Sequence, residues 1–259
     1  MSDLVSRAQE GDADALRELL TDLGPKVHRF GLRLCRSEAD AEDATQETLL
    51  HLATRLRDFQ GRSALSSYAF TVVRTACNRR RRGLKNQHHE VLSEALVDGH
   101  KDPETRVVDA DLARRVDRAL EQLPEEYREV LWLRDAEGLT APETAEAIGL
   151  SVAAVKSRLH RARRALKDAL HPVLAPSDAG QQCPDVAELL SQQLEGELTP
   201  DACDRMQRHL DGCSDCDATC RALKQALHVC RQSSHDRVVP ECVRNAVQIA
   251  LDAYRDGQR

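Results

Sequence analysis

Residues 206–220 read MQRHLDGCSDCDATC and place His209, Cys213, Cys216 and Cys220 in the spacing H-x3-C-x2-C-x3-C. On a helix, residues i and i+4 share a face, so His209 and Cys213 can converge. A C-x2-C pair lets two thiolates grip one ion at a helix start or tight turn. Cys183, upstream of a helical run, completes a Cys3His set with His209, Cys213 and Cys216. Four such ligands close a tetrahedron and leave no position for water, so the chemistry expected is metal holding and not hydrolysis. Thiolate-rich sites suit Zn(II), Cd(II) or Cu(I) and not Mg(II) or Ca(II). Cys203, Cys220, Cys230 and Cys242 exceed what one structural ion needs and could build a second, more exposed metal site. Cys35 and Cys77 read as ordinary buried cysteines, since a free cysteine packs as a small apolar residue.

The distribution of the nine cysteines supports metal over disulfide chemistry. Seven of them lie in the last 77 residues. An odd count without an export signal fits poorly with a disulfide framework. The first residues, MSDLVSRAQEGDADAL, are charged and lack an apolar signal core. No apolar run approaches the ~18 residues of a membrane span, so a cytoplasmic protein without a membrane partner is expected. No phosphate-binding glycine loop and no G-x-S-x-G elbow occurs, so an enzyme is not expected.

The elements that must position these groups read as helices. Aromatic residues are 3% and charged residues 31% of the 259, with Ala, Leu, Arg, Glu and Asp dominant, which favours helix over sheet. The net charge is −6, yet it is unevenly placed. Residues 156–167 carry six Lys or Arg and no acid, residues 79–82 are four arginines, and residues 176–259 hold 9 Lys+Arg against 14 Asp+Glu. Residues 2–82 show helical stripes, with a break near Gly11. Residues 83–109 are polar and weakly periodic, and read as a linker. A second boundary follows in HPVLAPSDAG before Cys183.

Between the linkers, TAPETAEAIGLSVAAVKSRLHRARRAL (140–166) has a capping Thr140, Pro142 in the first turn, Gly149 at the helix end and Ser151 capping a second helix. Val155, Leu159, Ala162 and Leu166 make its buried stripe. Val152, Lys156, Ser157, Arg158, His160, Arg161 and Arg164 are left to face outward or to flank the stripe. A glycine turn followed by a basic second helix is the pattern of a helix-turn-helix whose second helix enters the major groove. Trp132 is assigned to the core.

The segment EQLPEEYREVLWLRDAEGLTAPETAEAIGLSVAAVKSRLHRARRAL closely resembles the C-terminal DNA-binding domain of extracytoplasmic-function sigma factors, which direct bacterial RNA polymerase to promoters. The resemblance implies that the outward residues of 152–164 contact the −35 element. DAEDATQETLLHLATRLRDFQGRSALSSYAFTVVRTACNRRRR looks like the companion sigma domain that grips polymerase and opens the −10 element. There the resemblance assigns polymerase binding to Asp40, Glu42, Asp43, Gln46 and Glu47, and −10 contacts to Arg62, Ser66, Tyr68, Arg74, Asn78 and Arg79. Tyr68-Ala69 stands where the family often has Trp-Leu. Single-strand capture needs a stacking surface and a cationic track.

The tail pattern, C-x25-H-x3-C-x2-C with LEGEL between, resembles the zinc-binding domain of anti-sigma factors, here fused to the sigma segment. The chain is similar to the CorE-like group of fused, metal-responsive sigma factors. That likeness implies an all-α protein: a domain at 1–82, a linker at 83–109, a helix-turn-helix domain at 110–171, a linker at 172–182 and a regulatory domain at 183–259. It implies RNA polymerase core, promoter DNA and transition-metal ions as partners, with no separate anti-sigma factor required. Structural zinc, and Cd, Zn or Cu as regulatory ligand, are the cofactors expected. A thiol redox-responsive tail, or a constitutive factor with a structural zinc module, are the competing expectations.

Overall fold

The structure is a computed structural model, and it describes residues 2–61, 64–83, 114–174, 183–232 and 239–256. All regular elements among them are helical, as the composition predicts. Most of the polar linker and the segment 175–182 lie outside the described residues. The chain divides into two compact units. The first gathers residues 1–92, 142–150 and 237–259; the second gathers 93–141 and 151–236.

In the first unit, α1 (Ser2–Gln9) and α2 (Ala13–Leu34) meet at Gly11, whose φ of 109° gives the break the sequence suggests. Asp12 caps α2 by accepting from the amides of Asp14 and Ala15. Ser37 caps α3 (Glu38–Arg55) through the Asp40 amide, and α4 spans Leu65–Gly83. Leu16, Leu19, Leu20, Leu23, Val27 and Phe30 of α2 line the core with Leu49 and Leu52 of α3 and Phe70 and Val73 of α4. Phe30 and Phe70 meet edge to face, with ring centroids 5.1 Å apart, an arrangement the ring quadrupoles favour.

The last helix, α12 (Glu241–Asp256), joins this core. Its Val243, Ala246, Ala250, Leu251 and Tyr254 are buried against α2 and α3. Gly24 makes the close approach feasible, because a Cβ built there would stand 2.8 Å from Val243 Cγ1. The short helix α7 (Ala141–Ile148) also falls in this unit, where Thr71 Oγ1 donates to the Ala147 carbonyl at 3.3 Å.

In the second unit, α5 (114–122) precedes α6 (Glu125–Leu131), which continues into a π-turn at Trp132–Ala136. Trp132 is buried there and its indole N–H donates to Glu137 at 3.2 Å. The helix α8 (Val152–Leu174) starts at Ser151, whose hydroxyl accepts from the Ala154 amide. Val155, Leu159, Ala162 and Leu166 are fully buried, so the predicted stripe faces the core. The tail follows as α9 (Val186–Leu194), α10 (Pro200–Gly212) and α11 (Ser214–Gln232). Both α9 and α11 pack on α8.

One expectation is overturned. Cys35 and Cys77 are buried as predicted, but they are joined to each other by a disulfide. They are separated by 42 positions, so no short-range spacing signals the pair. The packing of α4 on α2 brings them together.

Candidate metal centre and recognition helix

Cys183, His209, Cys213 and Cys216 form the one group of three or more potential metal ligands found among the described residues, with ligand atoms all within 4.8 Å of one another. Each comes from an element end. Cys183 stands two residues before Asp185, the N-cap of α9. His209 lies in the last turn of α10, Cys213 is its C-cap, and Cys216 lies in the first turn of α11. Cys183 Sγ and Cys213 Sγ are 4.0 Å apart.

Three observations fit these residues to a thiophilic ion. His209 Nε2 is buried with no hydrogen-bond partner, a costly state for a polar atom unless an ion takes its lone pair. The Cys213 thiol is held below its ordinary pKa, chiefly by the Cys216 amide and then by the side chains of Cys216 and Cys183. Cys216 is pushed up to about 12 by burial, then by its sulfur neighbours. Crowded thiols that share hydrogens oppose one another's ionisation, and a bound cation removes that opposition. The donor set and its closed geometry suit zinc.

Cys203, Cys220, Cys230 and Cys242 do not gather into a second cluster. Cys220 and Cys230 are buried on α11, and burial raises the Cys220 thiol pKa. Cys203 is half-buried on α10. Cys242 belongs to the other unit, on α12, with its sulfur 4.0 Å from His28 Nε2. Burial and then Glu42 push its thiol up to about 11.

Part of α8, the candidate recognition helix, is paired with acids of the tail. Glu197, just after α9, accepts from Lys156 Nζ at 2.6 Å and lies 3.2 Å from His160 Nε2. His160 Nδ1 also meets Ser191 Oγ at 2.7 Å. Arg164 pairs with Asp185 and with Glu188, the latter at 2.9 Å. Arg163 is buried to 2% and bonds Asp135 at 2.5 Å and Glu195 at 3.2 Å, with Ser191 Oγ at 2.9 Å. Burial opposes its charge, but Asp135 and Glu195 more than restore it, so its pKa is raised. Lys156 lowers the Glu197 pKa against burial, with help from His160. Val152, Ser157 and Arg161 remain exposed and Arg158 half-buried.

In the first unit the other sequence-assigned residues lie on α3 and α4. Asp43 and Gln46 are exposed, while Asp40 and Glu42 are half-buried. Glu47 pairs with Arg79, and with Arg80 at 3.0 Å. Tyr68 Oη is 2.8 Å from His51 Nε2, and its ring centroid is 5.6 Å from that of Phe59. Ser66, Arg74 and Asn78 are half-buried on α4, and Arg62 lies outside the described residues.

Sequence reasoning missed Asp185, Glu188, Glu195 and Glu197 as partners of the basic helix, and Arg163 as a buried ion-pair centre. The available signal was the charge asymmetry: an acidic tail joined to a run of six cations.

Comparison with known proteins agrees with this anatomy. The Sigma-70 region 2 family matches residues 19–87, the Sigma-70 region 4 family matches 113–166, and a zinc-finger family matches 183–216. The RNA polymerase sigma-H factor of Pseudomonas aeruginosa is 31% identical over 182 residues, which cover 66% of this chain and 94% of that protein. The ECF RNA polymerase sigma factor SigD of Mycobacterium tuberculosis is 34% identical over 172 residues, covering 64% and 81%. Among solved structures, the sigma factor RpoE of Bartonella quintana, crystallised with the anti-sigma factor NepR, aligns with a TM-score of 0.49 at 24% identity, over 59% of this chain and 94% of that one. No helix among the described residues is long and apolar enough to cross a membrane. The chain therefore belongs to the extracytoplasmic-function RNA polymerase sigma factors, which are transcription-initiation proteins and not enzymes, and it carries a zinc-finger-like module after the sigma regions.

Proposed function

We propose that this sigma factor binds RNA polymerase core and promoter DNA, and that a metal held by its own tail keeps it closed. The observation that carries the reading is the pairing of Lys156, His160 and Arg164 with Glu197, Asp185 and Glu188. These cations are the groups a recognition helix would offer to phosphates and base edges. While acids of the tail hold them, DNA phosphates must displace carboxylates to bind.

The metal centre is coupled to this cover by chain connectivity. Cys183 stands two residues before Asp185 at the start of α9, and His209, Cys213 and Cys216 lie beside it at the junction of α10 and α11. A metal that draws the four ligands together would hold α9 on α8. Losing the metal, or exchanging it for an ion of different geometry, would loosen the acids from the cations. Zinc, cadmium and copper(I) are the ions this donor set selects. A ligand shifts such an equilibrium only through its preference for one state, and the closed cluster exists only with the tail folded. Support for a second point of closure comes from α12 seated on α2 and α3, where Cys242 touches Glu42, a residue assigned to polymerase binding.

The test is run-off transcription by polymerase core with the full-length protein. Cys213→Ser and Cys216→Ser variants, which cannot close the cluster, are expected to transcribe more than the zinc-loaded wild type. Equal or lower transcription by both variants would refute the closed-tail reading.

A further inference from the structure

The cysteine pair inside the first unit lies outside everything assigned to the tail. Cys35 is the C-cap of α2, with its amide donating to the Gly31 carbonyl at 2.8 Å. Cys77 lies within α4, next to Asn78 and Arg79. Their Cα atoms are 5.0 Å apart and their sulfurs are bonded. That Cα separation is within the range a disulfide accepts without moving the backbone. Exposure is 4% for Cys35 and 1% for Cys77.

The site also suits the reduced state. Cys35 Sγ is 3.6 Å from the Asp40 carbonyl oxygen, so a thiol there has an acceptor for its hydrogen at hydrogen-bonding distance for sulfur. Cys77 stands among the apolar side chains of the core, where a thiol packs as a small hydrophobe. Neither state leaves a buried charge.

We propose that Cys35 and Cys77 are a reversible thiol–disulfide modification site in the sigma unit itself, separate from the metal-binding tail. On oxidation the two thiols give up two electrons and two protons and one S–S bond forms. A peroxide as oxidant takes both and is released as two molecules of water, or of water and alcohol. A small-molecule disulfide as oxidant leaves as two thiols through a mixed disulfide. A dithiol reductant reverses the step and becomes a cyclic disulfide. Because both sulfurs are covered, exchange requires local opening at the end of α2, so the pair responds to sustained redox poise more than to a brief pulse.

The bond ties the end of α2, three residues before α3 begins, to the middle of α4. It thus anchors the turn that leads into α3, the helix assigned to polymerase binding, to α4, the helix assigned to −10 contacts. Oxidation removes freedom between them, and reduction returns it.

The experiment uses the full-length, metal-loaded protein. Samples are equilibrated with a dithiol buffer or with hydrogen peroxide, quenched in acid, alkylated under denaturing conditions and mapped by peptide mass spectrometry. The oxidised sample is expected to yield the Cys35–Cys77 linked peptide, and the dithiol sample to yield both cysteines alkylated. Amides of α4 should exchange hydrogen more slowly in the oxidised sample. The oxidised protein should melt about 5 °C or more above the reduced one, a difference that Cys77→Ala abolishes while zinc content stays the same. Alkylation of both cysteines under every condition overturns the proposal. So does a linked peptide that survives the dithiol in the native protein, and so does pairing of either residue with a tail cysteine.

Discussion

Lys156 Nζ lies 2.6 Å from Glu197 Oε1, which places an acid of the tail on a cation of the basic helix α8. The same carboxylate reaches His160, and Arg164 is paired one helix turn further along. The basic run therefore does not face solvent as a uniform phosphate-binding surface, because acids of the tail pair with Lys156, Arg163 and Arg164. Each pair is partly exposed, so each contributes little stability alone, about 0–1 kcal/mol. Their consequence lies in competition with DNA.

Replacing Glu188 and Glu197 together by Gln should release Lys156 and part of the hold on His160 and Arg164. DNA binding by the full-length variant should tighten roughly 3- to 10-fold at low salt. Its salt dependence should steepen, because more cations become available to displace counterions. Fluorescence anisotropy with a promoter duplex across a salt series measures both. Unchanged affinity and slope would mean these acids do not compete with DNA.

Acid should not open the tail in the neutral range. The Glu197 pKa is lowered, chiefly by Lys156, against burial and with help from His160. A carboxylate depressed in the folded state stabilises above its unfolded pKa, and the contribution disappears as pH falls through the folded value. The hold of Glu197 should persist from pH 8 down to about pH 5 and weaken only below the ordinary carboxylate range. Anisotropy at fixed ionic strength checks this, and release already between pH 8 and 6 would contradict it.

Arg163 should behave differently from its neighbours. It is buried with Asp135 and Glu195, and removing the guanidinium would strand the nearly buried Asp135 carboxylate and leave Glu195 with Arg134 alone. Arg163→Ala is expected to cost about 3–5 kcal/mol in the second unit, read by urea denaturation followed through Trp132. Arg161→Ala, at an exposed position, should cost less than about 0.5 kcal/mol. The sequence marks both residues equally as basic, and only packing separates them.

The helical architecture was legible because its signals are local. The Val155, Leu159, Ala162 and Leu166 stripe, the glycine turn at Gly149 with φ 71° and the Ser151 cap all depend on residues within one or two turns. The Cys3His set was legible for a related reason. Three of its members lie within eight residues, and the donor types carry their own chemistry. What was not legible depends on contacts between distant segments. Glu197 is 41 positions from Lys156, Cys77 is 42 from Cys35, and Cys242 is 214 from His28. Cys220 and Cys230, offered by the sequence to a possible second metal site, fill inward-facing apolar positions of α11.

Seating of α12 should be sensitive to Gly24. Gly24→Val puts a branched side chain where a Cβ alone would stand 2.8 Å from Val243 Cγ1. The variant should lift α12 and expose Cys242, whose thiol pKa is pushed up to about 11 by burial and then by Glu42. Cys242 should therefore react slowly with iodoacetamide in the wild type at pH 8, and at least tenfold faster in the variant. A thiol raised in the folded state favours folding below its ordinary pKa near 9 and loses that contribution as pH climbs toward 11. Wild-type labelling should accelerate over that interval beyond simple thiolate titration. Equal labelling rates in both proteins would show that α12 is not displaced by the substitution.

The most direct test of a metal-held closed state is promoter binding by one protein sample in two metal states. Full-length protein is loaded with one equivalent of zinc, verified by mass spectrometry, and its affinity for promoter DNA in complex with polymerase core is compared before and after chelation. The account predicts weak binding with zinc, tighter binding after chelation, and return to weak binding when zinc is restored. Affinity that is unchanged by chelation, or that falls without zinc while the sigma regions stay folded, would contradict it.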